Sequence, residues 1–176
     1  MIRVIVMSRG YLLATLSLVV VLASCSLDPY RTAAQILPFD FSSVATKEKV
    51  IDTELFTYNN SSELYRAKKA TEPFTGIYLK YNWLGRLESA LFQSSVEKSN
   101  VSDWVPRDLD LLKSPILRLV SERNTTSEIS QVRYRVNELQ GDGFRVELSQ
   151  ADEVSLAEYF RRAEPGVPGI AIKVTF

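Results

Sequence analysis

Alternating apolar and polar residues run through two neighbouring stretches of the chain between residues 130 and 149. The apolar positions are Val132, Tyr134, Val136, Phe144, Val146 and Leu148. A period of two places successive side chains on opposite faces of a β-strand. Gly141 and Gly143 stand between the two stretches and suit a bend. The pattern therefore predicts an antiparallel hairpin with one buried face and one solvated face.

Other stretches predict further strands and one helix. The last seven residues alternate again, and residues 49–58 and 76–93 have the composition of strands. Residues 152–163 predict an amphipathic helix, because acids lie at its start and Arg161 and Arg162 lie near its end, which suits the helix dipole.

Three segments carry weaker patterns. Residues 63–70 fit a short helix or a loop, and residues 123–128 fit a turn. In residues 107–121, Pro115 interrupts a helical spacing of apolar residues, so one kinked helix and a short helix followed by a strand both fit. The whole pattern predicts an α+β fold, with an antiparallel sheet of five or six strands and one or two helices packed on one face.

The residue types present limit the chemistry. The chain has 176 residues, of which 45% are hydrophobic and 24% charged, as in a single globular domain. Its 21 basic residues balance 21 acidic ones, so no basic excess is available for nucleic acid, and we expect none as a partner. The chain has no histidine and one cysteine, which excludes Ser-His-Asp triads, imidazole metal sites and intrachain disulfides.

The first 24 residues have the order of an export signal. The first ten carry two arginines and no acid, and the next 14 carry no charge. This apolar run is long enough for a signal peptide and short for a transmembrane span of about 20 residues. It ends at Leu22, Ala23, Ser24 and Cys25, the only cysteine.

This ending resembles the lipobox of bacterial lipoproteins, in which an aliphatic residue and two small residues precede a cysteine. The resemblance implies that the lipoprotein signal peptidase recognises Leu22, Ala23 and Ser24 and cleaves before Cys25. Cys25 would then carry a diacylglyceryl group and an N-acyl chain, and several acyl chains together anchor a protein stably in a membrane. The alternatives are an ordinary secretory signal with a chance cysteine, and a signal anchor.

The residue after the cysteine bears on localisation. In Gram-negative lipoproteins, an aspartate at that position favours retention in the inner membrane. Ser26 follows Cys25 here, so the resemblance implies export and anchoring in the outer membrane, facing the periplasm, rather than in the inner membrane. The rule does not apply to a Gram-positive source.

A second resemblance covers residues 73–92, which are similar to one unit of MORN-type repeats. The matching residues are Pro73, Phe74, Thr75, Gly76, Tyr81, Gly85 and Phe92. Leu84 and Gly85 stand where those units prefer Asn-Gly, and one unit is present rather than an array, although such units bury their faces against neighbours. A plain β-hairpin is the alternative.

No motif predicts chemistry beyond the lipidation of Cys25. No spacing matches an EF-hand, a P-loop or a nucleophile elbow, so we expect no catalytic residue, metal site or cofactor. Arg133 and Arg135, with Arg161 and Arg162, are candidates for a basic patch that binds an anionic partner, and the alternative is an ordinary solvated face.

The expected organisation has three segments. These are a lipoprotein signal peptide at 1–24, a lipidated cysteine with a tether at 25–48, and one α+β domain at 49–176. We expect a non-enzymatic binding or structural module for another envelope protein or cell-wall component, held at the membrane through Cys25. The alternative is a carboxylate-based hydrolase of envelope polymers, which needs two acids about 5–10 Å apart in one cleft.

Overall fold

The computed structural model describes residues 28–51, 53–70, 72–96, 111–162 and 166–176. Its strands are β1 (Phe56–Asn59), β2 (Leu64–Ala67), β3 (Gly76–Tyr81), β4 (Leu87–Val96), β5 (Arg118–Thr126), β6 (Arg133–Gln140), β7 (Arg145–Ala151) and β8 (Val167–Thr175). They form one antiparallel sheet in the order β1-β2-β3-β4-β8-β7-β6-β5. Two four-strand meanders therefore meet where β8 pairs with β4.

The two ends of the sheet differ in what they carry. The turns after β1, β3 and β6 lie at one end, together with the C-terminal Phe176, and we call this the Phe176 end. The turn between β5 and β6 lies at the opposite end, which we call the Ile129 end after its most exposed apolar residue.

In the described ranges, three α-helices accompany the sheet: α1 (Pro29–Ala33), α2 (Lys47–Ile51) and α3 (Glu153–Arg162). The same ranges contain two 3-10 turns, Phe41–Val44 and Leu111–Lys113. The carboxylate of Asp28 accepts a hydrogen bond from the backbone N–H of Tyr30 at the start of α1. Within the described ranges, no helix combines the length and apolar character that a membrane crossing requires.

Residues 29–50 lie across one face of the sheet and complete its main core. The buried apolar residues of this segment are Ala33, Leu37, Phe41, Val44 and Val50. The ring of Phe41 is fully buried, and its centroid lies 5.9 Å from that of Phe92 and 5.3 Å from that of Phe176. From residue 29 onward, the segment expected as a tether is thus packed on the sheet, because its apolar side chains are removed from water there.

The helix α3 covers the other face. Its Leu156 and Phe160 pack in a second cluster with Ala151, and Tyr134 contacts the same cluster. Successive side chains of a strand alternate between faces. Ala151 on β7 therefore lies on the face opposite Leu148, which belongs to the main core.

The predicted fold class is wrong. In place of an α+β fold with five or six strands, the structure has a mostly β architecture with eight strands. Only α3 reaches seven residues among the helices of the described segments. The helices also lie on both faces of the sheet rather than on one.

The additional strands come from segments with no apolar alternation. The segment 63–70 contains β2, and 123–126, predicted as a turn, belongs to β5. Residues of β5 are almost all exposed because it is an edge strand with little covering either face, so its sequence shows no period of two. The predicted strand at 49–58 divides into the end of α2 and the start of β1.

The pairing within the two hairpins and the position of the main helix are confirmed. β6 pairs with β7, β3 pairs with β4, and α3 lies within the predicted 152–163. The single buried face predicted for the β6–β7 hairpin is wrong, because Asn137 pairs with Leu148 and Val136 therefore lies on the face opposite Leu148. For 107–121, a 3-10 turn followed by β5 matches the helix-plus-strand alternative from residue 111 onward, and the preceding residues lie outside the described part.

Replacement of Phe41 by alanine tests whether residues 29–50 belong to the folded domain. We expect Phe41→Ala to lower the free energy of unfolding by about 3–5 kcal/mol, because it leaves a cavity between aromatic rings. Ile51→Ala on α2 is the control, since Ile51 is exposed and its loss leaves no cavity. Urea unfolding followed by circular dichroism measures both, and equal midpoints for the two variants would contradict this packing.

Candidate binding site

A groove of about 690 Å³ opens on the sheet at the Ile129 end, and none of the residues 29–50 lines it. Its polar lining residues are Asn124, Arg133, Arg135, Gln150, Asp152 and Glu153. The volume lies within the range of about 300–1,000 Å³ usual for small-ligand sites.

The strand register explains why these side chains meet. Arg135 on β6 pairs in register with Asn124 on β5 and with Gln150 on β7. Gln150 in turn pairs in register with the core residue Ile170 on β8. Residues in register on neighbouring antiparallel strands share one face. The groove is therefore the polar continuation of the face whose other part forms the main core.

Asp152 organises one wall of the groove. Its Oδ1 accepts a hydrogen bond of 2.9 Å from the backbone N–H of Ser155 and caps α3. The same oxygen lies 2.9 Å from Nη2 of Arg133. The Ser155 N–H and the Arg133 guanidinium hold the pKa of Asp152 below its usual range. The ion pair with Asp152 thus holds the Arg133 guanidinium at the start of α3.

Arg135 supplies the other cationic group of the groove. One of its terminal nitrogens donates to the Oε1 of Gln150 at 3.0 Å. Gln150 is buried and neutral, so its amide orients the guanidinium without neutralising the charge. A guanidinium carries five N–H donors, and its planar fork matches the geometry of a carboxylate.

Asn137 lies beside the groove with its amide unsatisfied. The residue is on the same face of β6 as Arg135, two positions nearer the core, and is 1% exposed. Among the described residues, neither its Nδ2 nor its Oδ1 has a hydrogen-bond partner. A buried polar group without a partner costs about 1–3 kcal/mol, and Asn137 is not one of the residues that line the groove.

Asp152 does not have the environment of the general acid that glycoside hydrolysis uses. Asp152 and Glu153 are adjacent in the chain, but Asp152 is held in its ionised form as a helix cap and ion-pair partner. A general acid requires a raised pKa instead. The arrangement suits binding of an anionic or amide-bearing group.

The lipidation residues predicted from the sequence, Cys25 with Leu22, Ala23 and Ser24, lie outside the described residues. Of the candidate basic patch, Arg133 and Arg135 meet in the groove. Arg161 and Arg162 lie at the end of α3 and do not line it, and Arg162 pairs with Glu158.

Sequence reasoning missed Gln150 and Asn137. Asn137 sits in an alternating strand at a position predicted to face water. Asn137 is buried because other parts of the chain cover its face of β6, and the alternation of apolar and polar residues does not show which face is covered. A polar residue at a core-facing position, such as Gln150 two residues after Leu148, is the signal that was available.

Comparison of the chain with protein-family models, with curated proteins and with solved structures gives no match.

The role of Asp152 predicts a defined pH dependence. Because its pKa is lowered in the folded state, its stabilisation is complete above the pKa of an unfolded aspartate, about 3.9. It is lost as the pH falls through the lower pKa of the folded chain. We expect Asp152→Ala to cost about 1 kcal/mol at pH 7, and the difference from wild type to shrink below pH 4.

Asp152→Asn is the matched control, because asparagine also caps helices but carries no charge. It should retain most of the stability and lose the pH dependence. Urea unfolding at several pH values measures all three chains. An Asp152→Ala variant as stable as wild type at pH 7 would rule out this role.

Proposed function

We propose that the chain is a lipid-anchored protein of the bacterial envelope whose domain binds another envelope protein or a cell-wall component. The membrane attachment rests on the lipobox-like sequence ending at Cys25. In a Gram-negative source, Ser26 favours the outer membrane, on its periplasmic side. The domain acts by binding rather than by catalysis.

The groove is the observation that carries the binding proposal. It places the oriented guanidinium of Arg135 and the amide of Gln150 together on one face of the sheet. Charge-assisted hydrogen bonds to a carboxylate are among the stronger polar contacts in proteins. A carboxylate-bearing segment of an envelope protein or of the cell wall fits this chemistry.

The alternative, a hydrolase of envelope polymers, has the adjacent acids Asp152 and Glu153 in its favour. The structural task of Asp152 in capping α3 weighs against it. A hydrolase would lose its activity on cell-wall material in Glu153→Gln, whereas a binding module would show none in either chain.

Fatty-acid labelling of growing cells tests the anchor. An alkyne-bearing fatty acid should label the wild-type chain and should not label Cys25→Ala, because Cys25 is the only cysteine that could carry the diacylglyceryl group. Expression of both chains is checked by immunoblot. Equal labelling of the two, or none in either, would contradict the anchor.

Photocrosslinking in intact cells tests the groove. A photoreactive phenylalanine analogue at Asn124, on the groove wall, should give an adduct that Arg135→Glu removes, because the substitution reverses the charge facing the bound carboxylate. The analogue at Lys69 is the control, since Lys69 is exposed in the segment that follows β2 and does not line the groove. Identical adducts from both positions, unaffected by Arg135→Glu, would show that the groove is not the binding site.

A further inference from the structure

The turn between β3 and β4 presents two large apolar side chains to solvent. Trp83 is 90% exposed and Leu84 is 58% exposed. Both residues are adjacent at the tip of the hairpin, so they form one apolar projection. Exposing a tryptophan and a leucine together forgoes a few kcal/mol of burial, which suggests that the projection has a partner.

The turn is held firmly in this shape. The Oδ1 of Asn82 accepts hydrogen bonds of 3.0 Å from the backbone N–H groups of Leu84 and Arg86. Gly85 takes the positive φ that the bend requires, and its carbonyl accepts a bond of 2.8 Å from the N–H of Lys47. Trp83 therefore points outward from a turn whose backbone is fixed by these hydrogen bonds.

The projection lies at the same end of the sheet as the start of the described chain. The ring of Tyr30 packs against that of Phe176, with centroids 4.6 Å apart and the planes tilted by 48°. The N–H of Phe176 in turn donates to the carbonyl of Glu88, at the start of β4. The first residues of α1 thus lie beside the strands that carry the Trp83 turn.

The length of chain before α1 limits how far the domain can lie from an anchor. Cys25 is three residues before Asp28, and three residues span at most about 10 Å when fully extended. Because residues from 29 onward are packed on the sheet, no longer spacer follows. Acyl chains on Cys25 would therefore hold the Phe176 end of the domain next to the bilayer surface.

We propose that Trp83 and Leu84 insert into the bilayer leaflet that holds the acyl chains of Cys25. This inference rests on the proposed lipid anchor. Tryptophan is enriched at the interface between membrane and water, where its ring is partly apolar and its N–H stays solvated. Anchor and turn together attach the domain at two points, which orients it with the groove of the Ile129 end away from the membrane.

The exposed Ile129 supplies a matched comparison. It is 99% exposed, so it is as accessible as Trp83, but it lies at the opposite end of the sheet. The chain has two tryptophans, Trp83 and Trp104. In a Trp104→Phe background, Trp83 is the only one that emits. The control chain combines Trp104→Phe and Trp83→Phe with Ile129→Trp.

The test uses the lipidated mature chains, reconstituted in phosphatidylethanolamine and phosphatidylglycerol vesicles with and without brominated phosphatidylcholine. We expect bromolipid to remove about half of the Trp83 emission, as for a side chain at interfacial depth, and to leave the tryptophan at 129 unquenched. Adding Leu84→Ser should reduce the quenching of Trp83, while circular dichroism confirms that each chain is folded.

The outcomes separate this inference from the proposed anchor. Chains that float with the vesicles while Trp83 remains unquenched would overturn the insertion and leave the anchor intact. Equal quenching at 83 and 129 would also overturn it, since no end would then face the bilayer. Chains that carry no fatty-acid label and do not float would overturn both.

Discussion

The pairing of β8 with β4 is the contact on which the rest of the structure depends. Eight register pairs join the last strand of the chain to β4, from Ser89 opposite Thr175 to Val96 opposite Val167. Phe92 and Ile172, which face each other in this ladder, are both fully buried. Without this ladder, two separate meanders would each expose an unpaired edge and half of an apolar face.

The same pairing creates the surface that receives the N-terminal segment. Phe92 from β4 and the C-terminal Phe176 come together only when β8 is in place, and the ring of Phe41 packs against both. The first described segment and Phe176 are thus linked through one aromatic cluster. The placement of residues 29–50 therefore depends on the pairing at the centre of the sheet.

Local patterns were enough to predict the inner hairpins and α3, but not the full sheet. The apolar residues of β7 alternate because Val146 and Leu148 face the main core, whereas Tyr134 of β6 faces the cluster under α3. The acid-to-base order of α3 reflects its own dipole. β1, β2 and β5 lie at or near the edges and carry no such signal. The packing of residues 29–50 depends on contacts with strands far away in sequence, which no local period reports.

The arginines of the candidate site were predictable from the sequence, but their partners were not. Arg133 and Arg135 were recognisable as neighbouring charges on one face of a strand. Their partners Asp152 and Gln150 come from β7 and its following turn, and their contribution needs the register of β6 against β7. Asn137 is buried because of tertiary packing alone.

Under the proposed anchor, the two ends of the sheet have different tasks. The Phe176 end would lie against the bilayer, and the groove at the Ile129 end would face away from it, where a partner could reach it. β6, with eight residues, spans about 26 Å between the two ends. The groove would therefore sit a fixed distance above the membrane rather than on a flexible tether.

Energy transfer to labelled lipids measures this orientation most directly. Because Cys25 is the only native cysteine and its thiol would be acylated, a cysteine introduced elsewhere can be labelled alone. A donor dye at Ser61→Cys, in the turn between β1 and β2, should transfer strongly to acceptor lipids, and a dye at Ile129→Cys should transfer weakly. Equal transfer from both positions would contradict a domain held with its Phe176 end at the membrane.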